Sequence, residues 1–243
     1  MNVCAARGWW RVARILTPLH SVVRRAHRSA GLALVGAGGL LLTLRWTGTE
    51  TGVAQMAGAA LTTALTLLCC SQLVKALRSW RQARREAWLF TGVALNLPQS
   101  WYLLGDLQLP AMAGERLPVW AVAITPGGLV VIHLCSEEGV FFPSGAVWVV
   151  QRGRTARAIP SPTRQCSRAA ATLREVLCLP ANVPTWPLVV LTDPGGVYHP
   201  AGRDVPVIGA PHLPGAVLRC GRAPVVPPRE ALRLAADLAR YRV

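Results

Sequence analysis

Lysine is almost missing from this chain. Of 26 basic residues in 243, only Lys75 is lysine. Acids are scarce too, 11 in all, and charged residues make up 15% of the sequence. A soluble domain usually carries about a quarter charged residues, so part of the chain is built to avoid water. There is no Walker A sequence and no Gly-x-Gly-x-x-Gly following a strand, so no phosphate-cradling loop is written here. Ser161 and Ser167 lack a Gly-x-Ser-x-Gly setting, which leaves serine nucleophilic catalysis without support. The seven cysteines are odd in number, scattered, and contain no Cys-x-x-Cys pair, a pattern that favours free thiols in a reducing compartment.

What is present is apolar and basic. Hydrophobic residues reach 52% and the formal charge is +15, a balance that points first to a membrane or to nucleic acid. Position separates the two. Residues 1–86 hold 12 Arg and Lys against Glu50 and Glu86, whereas residues 87–243 hold 14 Arg against nine acids. Most of the charge therefore flanks the apolar segments, as membrane topology requires.

Two apolar stretches, about 29–46 and 53–74, are expected to form a transmembrane hairpin. A spanning helix needs roughly 20 mostly apolar residues. The second stretch meets this, and the first does so if Arg28 and Arg45 snorkel at its ends. The polar turn TGTETG separates them. Arginines precede the first stretch, Lys75 and arginines follow the second, and only Glu50 lies between. The positive-inside rule then predicts a multi-pass cell-membrane protein with both termini cytoplasmic. Residues 1–28 read as a basic cytoplasmic or interfacial segment. Within it Trp9, Ala13 and Leu16 share one side of a helix and Arg7, Arg11 and Arg14 another, with a frayed basic tail as the alternative.

Residues 75–98 read as a basic juxtamembrane helix, with Trp80, Ala83, Ala87, Phe90 and Ala94 at helical spacing and Pro98 closing it. Residues 99–243 then read as an α/β domain. Strand-like runs at 101–109, 118–124 and 129–135 come first, the last two joined by Thr125-Pro126-Gly127-Gly128. A second hairpin, 146–151 and 155–159, turns at Arg152-Gly153-Arg154. A helix at 162–178, a buried strand at 187–192 and a helix at 228–241 complete an α/β sandwich around a mixed sheet.

From Glu86 onward these landmarks resemble the nuclease-related domain (NERD) family. They are Glu86 in the opening helix, YLLGDLQLP (102–110), PVWAVAITPGGLVVIHLC (118–135), Trp148, PSPTRQCSRAAATLREVL (160–177) and PLVVLTD (187–193). That family is similar to PD-(D/E)xK nucleases. The resemblance implies a restriction-endonuclease-like mixed sheet flanked by helices. It also implies a Mg²⁺ site made by an Asp and a Glu on adjacent strands, with a Lys two residues past the Glu. Hard cations want carboxylate oxygens, and phosphodiester attack needs an activated water and charge stabilisation.

This chain departs from the pattern at all three positions. Aligned on the Thr-Pro-Gly-Gly turn, the Asp position holds Trp120, the Glu position His133 and the Lys position Cys135. Glu86 and Gln165 match the retained helix positions. The expectation is a membrane-anchored pseudoenzyme, a NERD-like domain without catalytic residues that serves as a binding or scaffold module. No metal and no small-molecule cofactor is expected. Membrane lipid is the expected partner, with nucleic acid or a protein as further candidates. Two rivals stand beside it. One is a nucleic-acid binder using Arg152, Arg154, Arg157, Arg164 and Arg168. The other is a Mg²⁺-dependent nuclease rewired through Glu137 and Glu138. A zinc site on His133 and Cys135 lacks a second ligand pair.

Overall fold

The computed structural model describes residues 53–110, 114–193, 195–198, 205–222 and 224–242. The expected interfacial segment 1–28 and first membrane helix 29–46 lie outside them. Helix α1 (Val53–Asn96) is one uninterrupted helix of 44 residues. Nothing between Val53 and Leu97 is proline, and Pro98 denies its predecessor the helical conformation. The chain divides into two compact units inside this helix, between Ala87 and Trp88.

The membrane expectation changes here. Among the described residues no helix is long and apolar enough to cross a membrane. The segment expected to span, 53–74, is helical. Yet Gln55, Gln72, Ser71 and three threonines interrupt its apolar run, and Lys75 follows at once.

The unit beginning at Trp88 is an α/β fold. Its main sheet is mixed, with strand order β1-β2-β3-β7-β9. Strands β1 (Tyr102–Pro110), β2 (Arg116–Thr125) and β3 (Gly128–Cys135) are antiparallel neighbours. Helix α2 (Pro162–Val176) leads to β7 (Thr185–Leu191), which pairs parallel to β3. Strand β9 (Val207–Gly209) pairs parallel to β7 at the edge. Helices α3 (Leu213–Cys220) and α4 (Pro228–Ala239) follow.

The β2–β3 turn depends on Gly128, whose φ is +133°. A Cβ there would stand 2.3 Å from the carbonyl oxygen of Pro184, so no other residue fits. Thr125 closes the turn by donating its buried hydroxyl to the Gly128 carbonyl at 3.0 Å.

A second, four-stranded sheet, order β6-β5-β4-β8, was not expected. The hairpin β5 (Val147–Arg152) and β6 (Thr155–Pro160) was expected. Strand β4 (Val140–Ser144) was not, because Pro143 argues against a central strand. Strand β8 (Val197–Tyr198) pairs with Val140 and Phe141 at the start of β4, and Pro143 stands opposite Trp148 of β5.

Alternating side chains send the main sheet into two cores. One contains Val122, Ile124, Leu129, Val131, Cys135, Val189 and Leu191. It packs against α2, α4, and Phe141, Trp148 and Ile159 of the second sheet. The other contains Leu103, Ala121, Ala123, Val130, Ile132, Leu188 and Val190. It packs against Phe90 and Val93 of α1 and Leu213 and Val217 of α3. Each fully buried Leu, Ile or Val contributes about 1.5–3 kcal/mol, so a sheet covered on both faces is strongly fixed in register.

Candidate functional site

The three positions where the family pattern expects ligands and a lysine fall on β2 and β3. Strict alternation from Val122 would put residue 120 on the Val131–Cys135 side of the sheet. Instead Trp120 packs into the opposite core, against the end of α1. The alternation breaks on both strands at one rung. On β1, Leu104 and Leu107, three apart, face the same core. On β2, Trp120 and Ala121, adjacent in sequence, face the same core. Between these, Asp106 has φ +53°, a left-handed conformation that aspartate tolerates better than most residues. The rungs on either side, Gly105–Ala121 and Leu107–Val119, keep their register.

Helix α1 holds this arrangement. The Phe90 ring meets Trp120 edge-on, with centroids 5.9 Å apart and planes at 79°. The same ring covers Gly105, where a Cβ would stand 2.7 Å from Phe90 Cε2. Gly105 is therefore glycine so that Phe90 can reach the sheet and seat Trp120.

His133 and Cys135, two apart on β3, lie on the other face, Cys135 within that core and His133 half-buried beside it. Burial holds the His133 imidazole below its ordinary pKa. Burial pushes the Cys135 thiol up to about 11, and the Glu137 carboxylate adds to the rise. Cys166 of α2 is buried and pushed up to about 12 by burial. Its thiol donates weakly to the Val131 carbonyl at 3.4 Å and the Leu188 carbonyl at 3.6 Å. These thiols are neutral near pH 7 and poor metal ligands. Cys70, Cys135, Cys166, Cys178 and Cys220 are all free.

Of the two retained helix positions, Glu86 lies in α1 and accepts a hydrogen bond from Gln82 Nε2 at 2.9 Å. Gln165 is exposed on α2, where Cys166 takes the inward place.

The five candidate arginines divide between two elements. Arg152, Arg154 and Arg157 belong to the β5–β6 hairpin, and Arg164 and Arg168 are four apart on α2. Three of them bind acids. Arg152 meets Glu138 at 2.8 Å, Arg157 meets Glu137 at 2.5 Å, and Arg168 meets Glu115 at 3.3 Å. The carboxylates that a rewired nuclease would need, Glu137 and Glu138, are thus turned to arginines. Among the described residues, no three His, Cys, Asp or Glu side chains gather closely enough to hold a metal ion.

Asp193 is a residue the sequence reading passed over. It accepts from the Gly139 N–H and the Gly195 N–H, each at 3.2 Å, and so ties the turn after β3 to the loop after β7. The Asp-Pro-Gly-Gly run at 193–196 was the available signal.

An opening helix, three antiparallel strands, a crossover helix and a parallel strand define the class: an α/β domain with a mixed sheet and helices on both faces. Residues 81–192 match the family model of the nuclease-related domain. No curated protein and no solved structure matches the chain.

Proposed function

We propose that this chain is a nuclease-related domain that binds without cleaving, attached to the membrane surface by the region that precedes it. In this reading the mixed sheet is a restriction-endonuclease-like frame kept for binding. The observation that carries it is the place of Trp120. An indole offers no oxygen to a hard cation, and Trp120 packs against Phe90 on the face opposite His133 and Cys135. The imidazole and the raised thiol that stand in for Glu and Lys cannot replace a carboxylate ligand and a permanent cation.

Attachment to lipid is supported by the stretch of α1 from Leu67 to Leu77, where Leu67, Leu68, Leu73, Val74 and Leu77 are exposed. A soluble surface rarely keeps so many large apolar side chains on one helix. The cell membrane is the location this implies.

Purified full-length protein is incubated with single- and double-stranded DNA and RNA in Mg²⁺ or Mn²⁺. The expected result is no cleavage. Robust cleavage abolished by Glu137→Gln or Glu138→Gln would overturn the reading. The nucleic-acid-binding alternative is favoured by Arg154 and Arg164 and weakened by the acids on Arg152, Arg157 and Arg168. It requires an affinity that falls steeply with salt.

A further inference from the structure

The exposed side of α1 between Leu73 and Arg85 carries two rows of side chains. Leu73, Leu77, Trp80 and Arg84 stand at successive spacings of four, three and four, which brings them above one another on a helix. Val74, Arg78, Arg81 and Arg85 form the adjacent row at the same spacings. Every one of these eight side chains is exposed. On the opposite side Ala83 is buried and Gln72 and Ser79 are half-buried.

The basic row opposes the helix's own stability. Like charges three and four apart repel by a few tenths of a kcal/mol per pair. The apolar row adds a second mismatch with water, since Leu73 is 49% and Leu77 47% exposed. The Arg84 guanidinium lies over the Trp80 ring, 5.5 Å from its centroid, where an indole and a cation form one amphipathic unit.

We propose that this face is a docking surface for anionic lipid headgroups, with the arginine row on the phosphates and the Leu73–Leu77–Trp80 row in the glycerol and upper acyl layer. This rests on the membrane attachment proposed above and adds the class of lipid. Headgroup-level binding suits a helix that is amphipathic and basic without being apolar enough to cross. A second copy of the chain is a poor occupant, because it would bring an identical basic row against this one. Nucleic acid would satisfy the arginines but has no apolar layer for Leu73 and Leu77.

Full-length protein is diluted from detergent into vesicles of phosphatidylcholine alone, or with about one quarter phosphatidylglycerol, and bound protein is measured by flotation. The chain is expected to prefer the anionic vesicles, and the preference should shrink as salt rises. The triple variant Arg78→Gln, Arg81→Gln, Arg85→Gln should weaken anionic-vesicle binding by roughly 100-fold, taking about 1 kcal/mol per charge. It should leave phosphatidylcholine binding nearly unchanged. The triple variant Leu73→Ser, Leu77→Ser, Trp80→Ser should weaken binding to both vesicles. Helicity is checked by circular dichroism in each variant. Equal wild-type binding to both vesicles, or an arginine variant that keeps its preference, overturns the lipid-class inference and leaves attachment standing. Wild-type binding to neither overturns both. An arginine variant that loses affinity for duplex DNA but keeps its lipid preference assigns the face to nucleic acid instead.

Discussion

Phe90 and Trp120 meet edge to face, 5.9 Å between ring centroids, on the side of the main sheet away from His133 and Cys135. One contact therefore keeps the residue 120 side chain off the face that carries His133 and Cys135. The cause is not confined to the substitution. Asp106 at φ +53° and Gly105 beneath Phe90 shape the strand pair that accepts a large ring there.

Restoring the family residue should therefore not restore chemistry. Trp120→Asp is expected to show no Mg²⁺-dependent cleavage and to lose about 3 kcal/mol of stability, from the lost ring and a carboxylate set against Phe90. Urea denaturation and a nuclease assay on the purified variant test both halves. Cleavage by this variant would mean that residue 120 can turn to the other face.

Gly105→Ala should cost about 1–3 kcal/mol through overpacking, because the new methyl stands 2.7 Å from Phe90 Cε2. In the background of Phe90→Leu the same change should cost much less. A double-mutant cycle in denaturant reads this coupling, and additive costs would show that Phe90 is not the obstacle.

Gly128→Ala adds a Cβ 2.3 Å from the Pro184 carbonyl at φ +133°, backbone against backbone. The two atoms cannot separate without parting β3 from the segment leading into β7. A loss of about 3 kcal/mol or more is expected, or failure to accumulate as folded protein. Thermal denaturation beside Gly145→Ala, where a Cβ meets nothing within 4 Å, separates the clash from the cost of positive φ alone.

Stability should fall at both ends of the pH range. His133 has a folded pKa below its ordinary value, so below about pH 6.5 the unfolded chain binds the extra proton and stability is lost as pH drops. Cys135 and Cys166, raised from 9.0 to about 11 and about 12, hold their protons longer when folded. Their contribution is complete below pH 9 and is lost as pH rises from there through the folded values. Denaturation midpoints against pH should show the acid slope reduced in His133→Asn. The alkaline slope should be reduced in Cys135→Ala with Cys166→Ala.

How much of this was legible depended on how local each cause was. The Thr125-Pro126-Gly127-Gly128 turn, the apolar runs on either side and the Arg152-Gly153-Arg154 turn carry their own punctuation, and the strands beside them appear where expected. Helix α2 announces itself with Ser161 capping and Pro162 in the first turn. Strand β4 was hidden by Pro143, and the short β8 and β9 depend on partners distant in sequence. Helix α3 begins Leu213-Pro214-Gly215, residues that read as loop until Leu213 and Val217 find the sheet.

The sequence by itself determined that an indole, an imidazole and a thiol stand at positions 120, 133 and 135, beside the Thr-Pro-Gly-Gly turn. It also determined the basic and apolar rows of α1, since helical spacing is a local property. Only the tertiary structure decided that Trp120 and the His133–Cys135 pair face opposite ways, and that Glu137 and Glu138 turn to Arg157 and Arg152. Each of these rests on a contact between elements far apart in the chain. A period-2 pattern cannot report a rung where the period fails, as it does at Asp106, whose φ is +53°.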